Sequence, residues 1–130
     1  MSKIEKLEDL VMWQKAIELA TEIYKLNNPT LVKDFALIDQ LRRSAISVSS
    51  NIAEGYGRGG NKEFKQFLSI AKGSLYELKT QLIIASRIKL ITEAELDKLT
   101  FNIDEIAKMI SGMMNYLKSS KVTGHKNKTE

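Results

Sequence analysis

The stretch Ile38-Asp39-Gln40-Leu41-Arg42-Arg43-Ser44-Ala45-Ile46-Ser47-Val48-Ser49-Ser50-Asn51-Ile52-Ala53-Glu54-Gly55 decides the fold. Ile38, Leu41, Ala45, Val48 and Ile52 recur at alternating steps of three and four, which keeps one side of an α-helix turned toward a neighbouring helix. A strand would alternate every second residue, and no part of the chain sustains that pattern. Beside the apolar seam runs a polar row, Gln40, Ser44, Ser47, Asn51 and Glu54, at the same spacing. Small and hydrogen-bonding residues in such a row suit a helix–helix or subunit contact, where they permit close approach and fix register.

Working outward, this helix is expected over residues 32–56, ending in the run Gly55-Tyr56-Gly57-Arg58-Gly59-Gly60. Glycine there can take the left-handed conformation that closes a helix. Upstream, a helix is expected over 9–27, with Asp9 as its N-cap and Asn27-Asn28-Pro29 as its stop. Its apolar residues, among them Met12, Trp13, Leu19, Ile23 and Tyr24, spread over an arc of roughly 200° if each residue advances about 100°. Downstream, Asn61 is expected to cap a helix over 61–89 whose seam includes Phe64, Leu68, Leu75, Leu78 and Leu82, with Gly73 and Ser74 admitting a close neighbour. Thr92-Glu93-Ala94-Glu95 reads as a capping box that opens a last helix over 92–118. Residues 1–8 form a lead, and 119–130 lack apolar periodicity and are expected to be a flexible basic tail.

Four helices of about 18–28 residues, each roughly 27–42 Å long, joined by short connections, give consecutive helices opposite directions. The fold class is all-α: an up-down-up-down antiparallel four-helix bundle, with the seven-residue repeat implying a left-handed twist.

The 130 residues supply one domain, and 43% hydrophobic and 28% charged residues with a single Pro exclude a disordered or low-complexity chain. There is no cysteine, which removes disulfides, thiolate metal sites and cysteine nucleophiles together and points to the cytoplasm. His125 is the one histidine, in the tail, so the Glu-x-x-His pattern of di-metal bundles is missing and no metal or other cofactor is expected. No uncharged run is long enough to span a membrane.

The formal charge is +4, unevenly spread: residues 1–39 carry −2, residues 40–91 carry +6, residues 92–117 carry −3 and residues 118–130 carry +3. Arg42, Arg43, Arg58, Lys62 and Lys65 are therefore the candidate contacts to phosphates of RNA or DNA, without a base-reading module beside them. The glycine run resembles a phosphate-cradling loop only superficially, since such loops follow a strand. Glu54 and Glu77 could form an acid–base pair, but their levels match poorly in an antiparallel pair. Glu54 is better placed to accept hydrogen bonds near the glycine turn or to pair with Arg58, and Glu77 lies within range of Arg42 or Arg43. Met109, Met113 and Met114 could form an adaptable surface, though at helical spacing they read first as core. No nucleophile–base arrangement stands out, so the chain is expected not to be an enzyme.

The wide apolar face of the first helix is better explained by self-association, because a monomeric bundle needs a narrower stripe. That reading makes Met12, Leu19 and Ile23, with Gln40, Ser44, Asn51 and Glu54, the candidate oligomer or helix contacts.

The runs Asp9-Leu10-Val11-Met12-Trp13-Gln14-Lys15-Ala16, Gln40-Leu41-Arg42-Arg43-Ser44-Ala45, Asn51-Ile52-Ala53-Glu54-Gly55 and Phe67-Leu68-Ser69-Ile70-Ala71-Lys72-Gly73-Ser74-Leu75-Tyr76-Glu77-Leu78 together resemble a known family. It is the four-helix-bundle family of proteins encoded in intervening sequences of bacterial 23S ribosomal RNA genes, matched over residues 8–117. The resemblance implies a small bacterial cytoplasmic protein, assembled as a ring and specifically a homopentamer, with no established enzymatic activity. The family is also similar in fold to the accessory protein of diversity-generating retroelements, which engages a reverse transcriptase and nucleic acid. Two functions follow as expectations: an oligomeric assembly protein that binds nucleic acid nonspecifically through a basic face of the second and third helices, or a protein–protein scaffold with no nucleic-acid role.

Overall fold

The computed structural model describes residues 4–119, and every regular element among them is helical. A single 3-10 turn, Leu7–Asp9, precedes α1 (Val11–Tyr24), and a short α2 (Pro29–Lys33) leads into α3 (Phe35–Arg58). Two long helices, α4 (Asn61–Arg87) and α5 (Glu93–Ser119), complete the bundle. Among the described residues no helix is long and apolar enough to cross a membrane. The expected tail falls outside the described residues from position 120 onward, and Ser119 belongs to α5.

Local capping explains where the boundaries depart from those expected. Asp9 does not cap α1: its carboxylate accepts from the Glu5 and Lys6 amides at 2.9 and 3.1 Å and so closes the preceding turn. Asn28-Pro29 starts a helix rather than stopping one. The Asn28 side chain accepts from Thr30 and Leu31 N–H at 2.9 and 3.1 Å, and Pro29 sits at the first helical position, where its missing N–H costs nothing. The segment expected as one helix from 32 is broken at Asp34, which caps α3 by accepting from Leu37 N–H at 3.1 Å.

α3 runs past 56 to Arg58 and ends on Gly59, whose φ of 86° is the left-handed turn foreseen for the glycine run. Gly60, not Asn61, is the N-cap of α4. Asn61 is instead the buried first residue of that helix, and its Nδ2 donates to the Leu117 carbonyl at 3.1 Å, tying α4 to the end of α5. α4 stops before 89. Lys89 takes φ 63°, and the Leu90 and Lys89 amides return to Ala85 and Ser86 carbonyls at 2.8 and 3.0 Å, a Schellman closure with lysine where glycine is usual. The capping box stands as expected, with Glu95 N–H donating to Thr92 Oγ1 at 3.0 Å and Thr92 N–H to Glu95 Oε1 at 2.8 Å.

The four long helices form a square in which every neighbour is antiparallel. Ser47 meets Ser74 between α3 and α4, Lys79 meets Asp104 between α4 and α5, and Lys15 meets Glu105 between α1 and α5. Arg42 lies over Tyr24 between α3 and α1. The seam Ile38, Leu41, Ala45, Val48 and Ile52 is buried in full, against Leu68, Leu75, Leu78 and Leu82 of α4 and Ile103, Ile106 and Ile110 of α5. Met109, Met113 and Met114 are half-buried and pack against this core, as their helical spacing favours.

Candidate interaction surfaces

The polar row on α3 divides by position. Ser44 is buried, Ser47 Oγ lies 2.8 Å from Ser74 Oγ of α4, and Asn51 Nδ2 donates to the Ser47 carbonyl and hydroxyl at 2.8 and 3.0 Å. Ser47, Asn51 and Ser74 form a hydrogen-bonded contact within the bundle, and Gln40 and Glu54 at the ends of the row face solvent.

Met12, Leu19 and Ile23 do not lie on an outer surface: all three are buried in the chain's own core. Of the two roles expected for them, oligomer or helix contact, their burial is that of helix contacts, because α1 turns that half of its arc toward α3 and α5. The other half stays outside. Ile17 is 40% and Tyr24 47% exposed, with Trp13 and Ala20 half-buried beside them. Across the α1/α3 seam, Ile46 is 43% exposed. A second apolar strip lies on α4, where Ile70, Tyr76 and Ile84 are exposed around Glu77. Between them the surface is open and shallow over Gly73, beside Tyr76, Glu77, Thr80 and Gln81 of the same helix. Helical periodicity finds the core stripe first. Ile46, Ile70 and Ile84 were missed because each stands off its seam, and their only signal was being large and apolar where a polar residue is expected.

The five candidate phosphate contacts do not share one face. Arg42 and Arg58 are sixteen residues apart on α3, roughly 24 Å along the axis and on different sides of the helix. Arg42 leans toward α1, with its guanidinium carbon 4.7 Å from the Tyr24 ring centroid. Arg43 pairs with Asp39 at 2.8 Å, and Arg58 pairs with Glu54 at 2.9 Å and lies over the Phe67 ring. The Glu54–Arg58 pair was foreseen. Glu77, however, meets neither Arg42 nor Arg43, which are held by Tyr24 and Asp39 instead. Lys62 is exposed and Lys65 half-buried at the start of α4.

Three glycines of the 55–60 run have separate explanations. A Cβ on Gly55 would stand 2.7 Å from Phe67 Cβ, so this glycine allows α3 and α4 to touch. Gly59 supplies the left-handed turn and Gly60 the N-cap. Beside them Tyr56 packs edge-on against Phe64. Burial, then the carboxylates of Asp9 and Glu8, raise the Tyr56 hydroxyl above its ordinary value, so it remains neutral to higher pH.

Between α1 and α5 lies a cleft of about 320 Å3, bordered by Glu18 and Asn102 and floored by Leu19 and Ile106. Two ion pairs cross it, Lys15–Glu105 at 3.3 Å and Lys98–Glu22 at 3.5 Å. Among the described residues no group of three or more His, Cys, Asp or Glu side chains is placed to hold a metal ion.

The arrangement defines a small antiparallel helical bundle that leaves two unlike apolar faces at its surface. The sequence matches the 23S rRNA-intervening sequence protein family over residues 8–112, and the chain belongs to that family. It is similar to the crystal structure of a protein of unknown function from the S23 ribosomal protein family of Bacteroides thetaiotaomicron VPI-5482, with 26% identity and a TM-score of 0.74 over 79% of this chain and 97% of that one. No curated protein matches the sequence.

Proposed function

We propose that the chain works by self-association, as a non-enzymatic assembly unit of the bacterial cytoplasm whose bundles pack side by side into a closed ring; the family resemblance favours five copies. The α1/α3 face carries this reading: Ile17, Tyr24 and Ile46 are each more than a third exposed, Arg42, one helical turn before Ile46, lies over the Tyr24 ring, and a lone copy would leave these apolar side chains in water. The second strip, on α4, differs from the first. Two unlike faces on one chain suit a head-to-tail contact, which closes into a ring when the rotation between copies permits.

Sedimentation velocity at micromolar concentration, read at 260 and 280 nm, tests the reading. The expected result is one species at a multiple of 14.7 kDa. A single species at the mass of one chain overturns it.

A second reading adds RNA or DNA, bound without sequence preference. Its support lies at one end of the bundle. The Asn61–Leu117 hydrogen bond brings the end of α5 beside Lys62 and Lys65, and from there the chain continues into the segment containing Lys121, Lys126 and Lys128. Repetition around a ring would multiply such weak phosphate contacts. Arg43 and Arg58 contribute less, since Asp39 and Glu54 neutralise them locally. Excess 260 nm absorbance travelling with the assembly and lost at high salt supports nucleic acid. Its absence from an assembly prepared at low salt favours the protein–protein scaffold.

A further inference from the structure

Resting on the reading in which nucleic acid is a partner, we infer that the groove between α4 and α5 is the track for a single strand, with its phosphates on Lys65, Lys72, Lys108 and Lys118 and a base on Tyr76.

The ion pair Lys79–Asp104, at 2.8 Å, marks the side of α4 that meets α5. Seven residues return an α-helix to within about 20° of the same direction, so Lys72 and Lys65, one and two such steps before Lys79, project along the same edge. On α5 the corresponding positions are Ser111 and Lys118, seven and fourteen residues after Asp104, with Lys108 and Asn115 beside them. The two helices are antiparallel, so Lys72 comes level with Ser111. Lys65 comes level with the end of α5, where the Asn61–Leu117 hydrogen bond holds the two helices together.

Counter-charge is missing from this edge. Lys65, Lys72, Lys108 and Lys118 make no ion pair among the described residues. Glu63 and Glu77 each precede a lysine of the row by two residues, which puts them about 160° away around α4. Glu105 turns to Lys15 of α1. Asp97 and Asp104 do lie on the line, but toward the other end of the bundle, where Lys79 holds Asp104. The half of the groove near the end of α5 therefore gathers four cations without a carboxylate, and such self-repulsion is relieved by an anion lying among them.

The spacing suits a polymer of charges better than a single anion. Lys65, Lys72 and Lys79 repeat every ~10.5 Å along the axis, with a half-buried Ser111 and an exposed Asn115 as neutral donors across the groove. Tyr76, 49% exposed, stands four residues after Lys72 and three before Lys79. A cationic groove with an aromatic ring at its rim holds an unpaired strand by its backbone and by base stacking. Lysine ammonium groups act as point charges and read no base edge, so binding is tolerant of sequence. A bilayer would need large apolar side chains beside the lysines, whereas the exposed Ile70 and Ile84 lie on the far side of α4.

The test uses the full chain, titrated with labelled oligothymidylate and oligouridylate by fluorescence anisotropy over a salt series. Lys72→Gln/Lys108→Gln is compared with Arg43→Gln/Arg58→Gln, which removes the same charge elsewhere, and helix content is followed by circular dichroism. The lysine variant is expected to lower the magnitude of the logarithmic salt slope by about 1.4, roughly 0.7 for each lost contact to a single strand, while the arginine variant keeps the parent's slope. Tyr76→Ala is expected to weaken binding by about fivefold or more, and Tyr76→Phe to bind like the parent. A parent that binds neither probe at low salt overturns the nucleic-acid reading, and this track with it. If the parent binds while the lysine variant keeps its slope, or the arginine variant loses as much, nucleic acid remains a partner and the groove is not its track. Unchanged binding by Tyr76→Ala overturns the single-strand assignment. Displacement of the probe by polyglutamate at equal charge overturns the proposal in favour of an acidic protein segment.

Discussion

Leu75→Ala is expected to lower the free energy of unfolding by ~2–5 kcal/mol. Leu75 is fully buried on α4, inside the seam between Ala71 and Leu78. The substitution removes three methyl-equivalents of contact and leaves a void that rigid neighbouring helices close only in part. Every other element borders this core, so no local rearrangement spares the rest. Denaturant titration at one fixed protein concentration reads the change, because association would otherwise shift the midpoint by mass action. A loss below about 1 kcal/mol would mean that the α4 seam is not packed as described.

The second large effect separates two glycines that look alike in sequence. Gly55→Ala should destabilise by ~1–3 kcal/mol, because its Cβ would stand 2.7 Å from Phe67 Cβ and 3.0 Å from Phe64 Cδ1. Phe67 Cβ is anchored directly to the α4 backbone and cannot swing away, so the α3–α4 spacing must give. Gly57, two residues on in the same helix, has nothing within 4 Å. Gly57→Ala should therefore stabilise by ~0.5–1 kcal/mol through helix propensity alone. Opposite signs in one denaturation experiment are the expected outcome. Equal signs would show that the close approach at Gly55 is relieved elsewhere.

That pair of glycines marks the limit of what the sequence discloses. Periodicity finds the seam from Ile38 to Ile52 because core packing imposes it residue by residue, and Thr92 with Glu95 announces a cap because the bonds are local. The break at Asp34 is concealed because Val32, Phe35 and Leu37 continue an apolar pattern through it; an Asp three residues before the Leu37 amide was its one local sign. The wide apolar arc of α1 is legible as too wide, but its two halves are chemically alike. Only the placement of α3 and α5 decides that Met12, Leu19 and Ile23 turn inward while Ile17 and Tyr24 turn outward. Arg42, Arg43, Arg58, Lys62 and Lys65 are near one another in the chain. Their separation in space follows from the length and pitch of α3, which a sum of charges over residues 40–91 does not express.

The cleft between α1 and α5 bears on the order in which the molecule comes apart. These two helices are the one adjacent pair in the square that no direct connection joins, so bringing them together closes the largest loop in the chain. Their seam is bridged by solvent-exposed ion pairs, Lys15–Glu105 and Lys98–Glu22, which contribute little and weaken with salt. α3 and α4, by contrast, are joined by a tight turn and bring fully buried seams together. The α3–α4 hairpin is thus the part that persists through partial unfolding, and α1 is the part that detaches. Hydrogen exchange would read this as α1 amides exchanging ahead of those in α3 and α4, by a margin that grows with ionic strength; simultaneous exchange of all four long helices would contradict it. A helix that detaches while its site stays formed can be replaced by the same helix from a neighbouring molecule, so exchange of α1 between copies is the misassembly to which this bundle is most exposed.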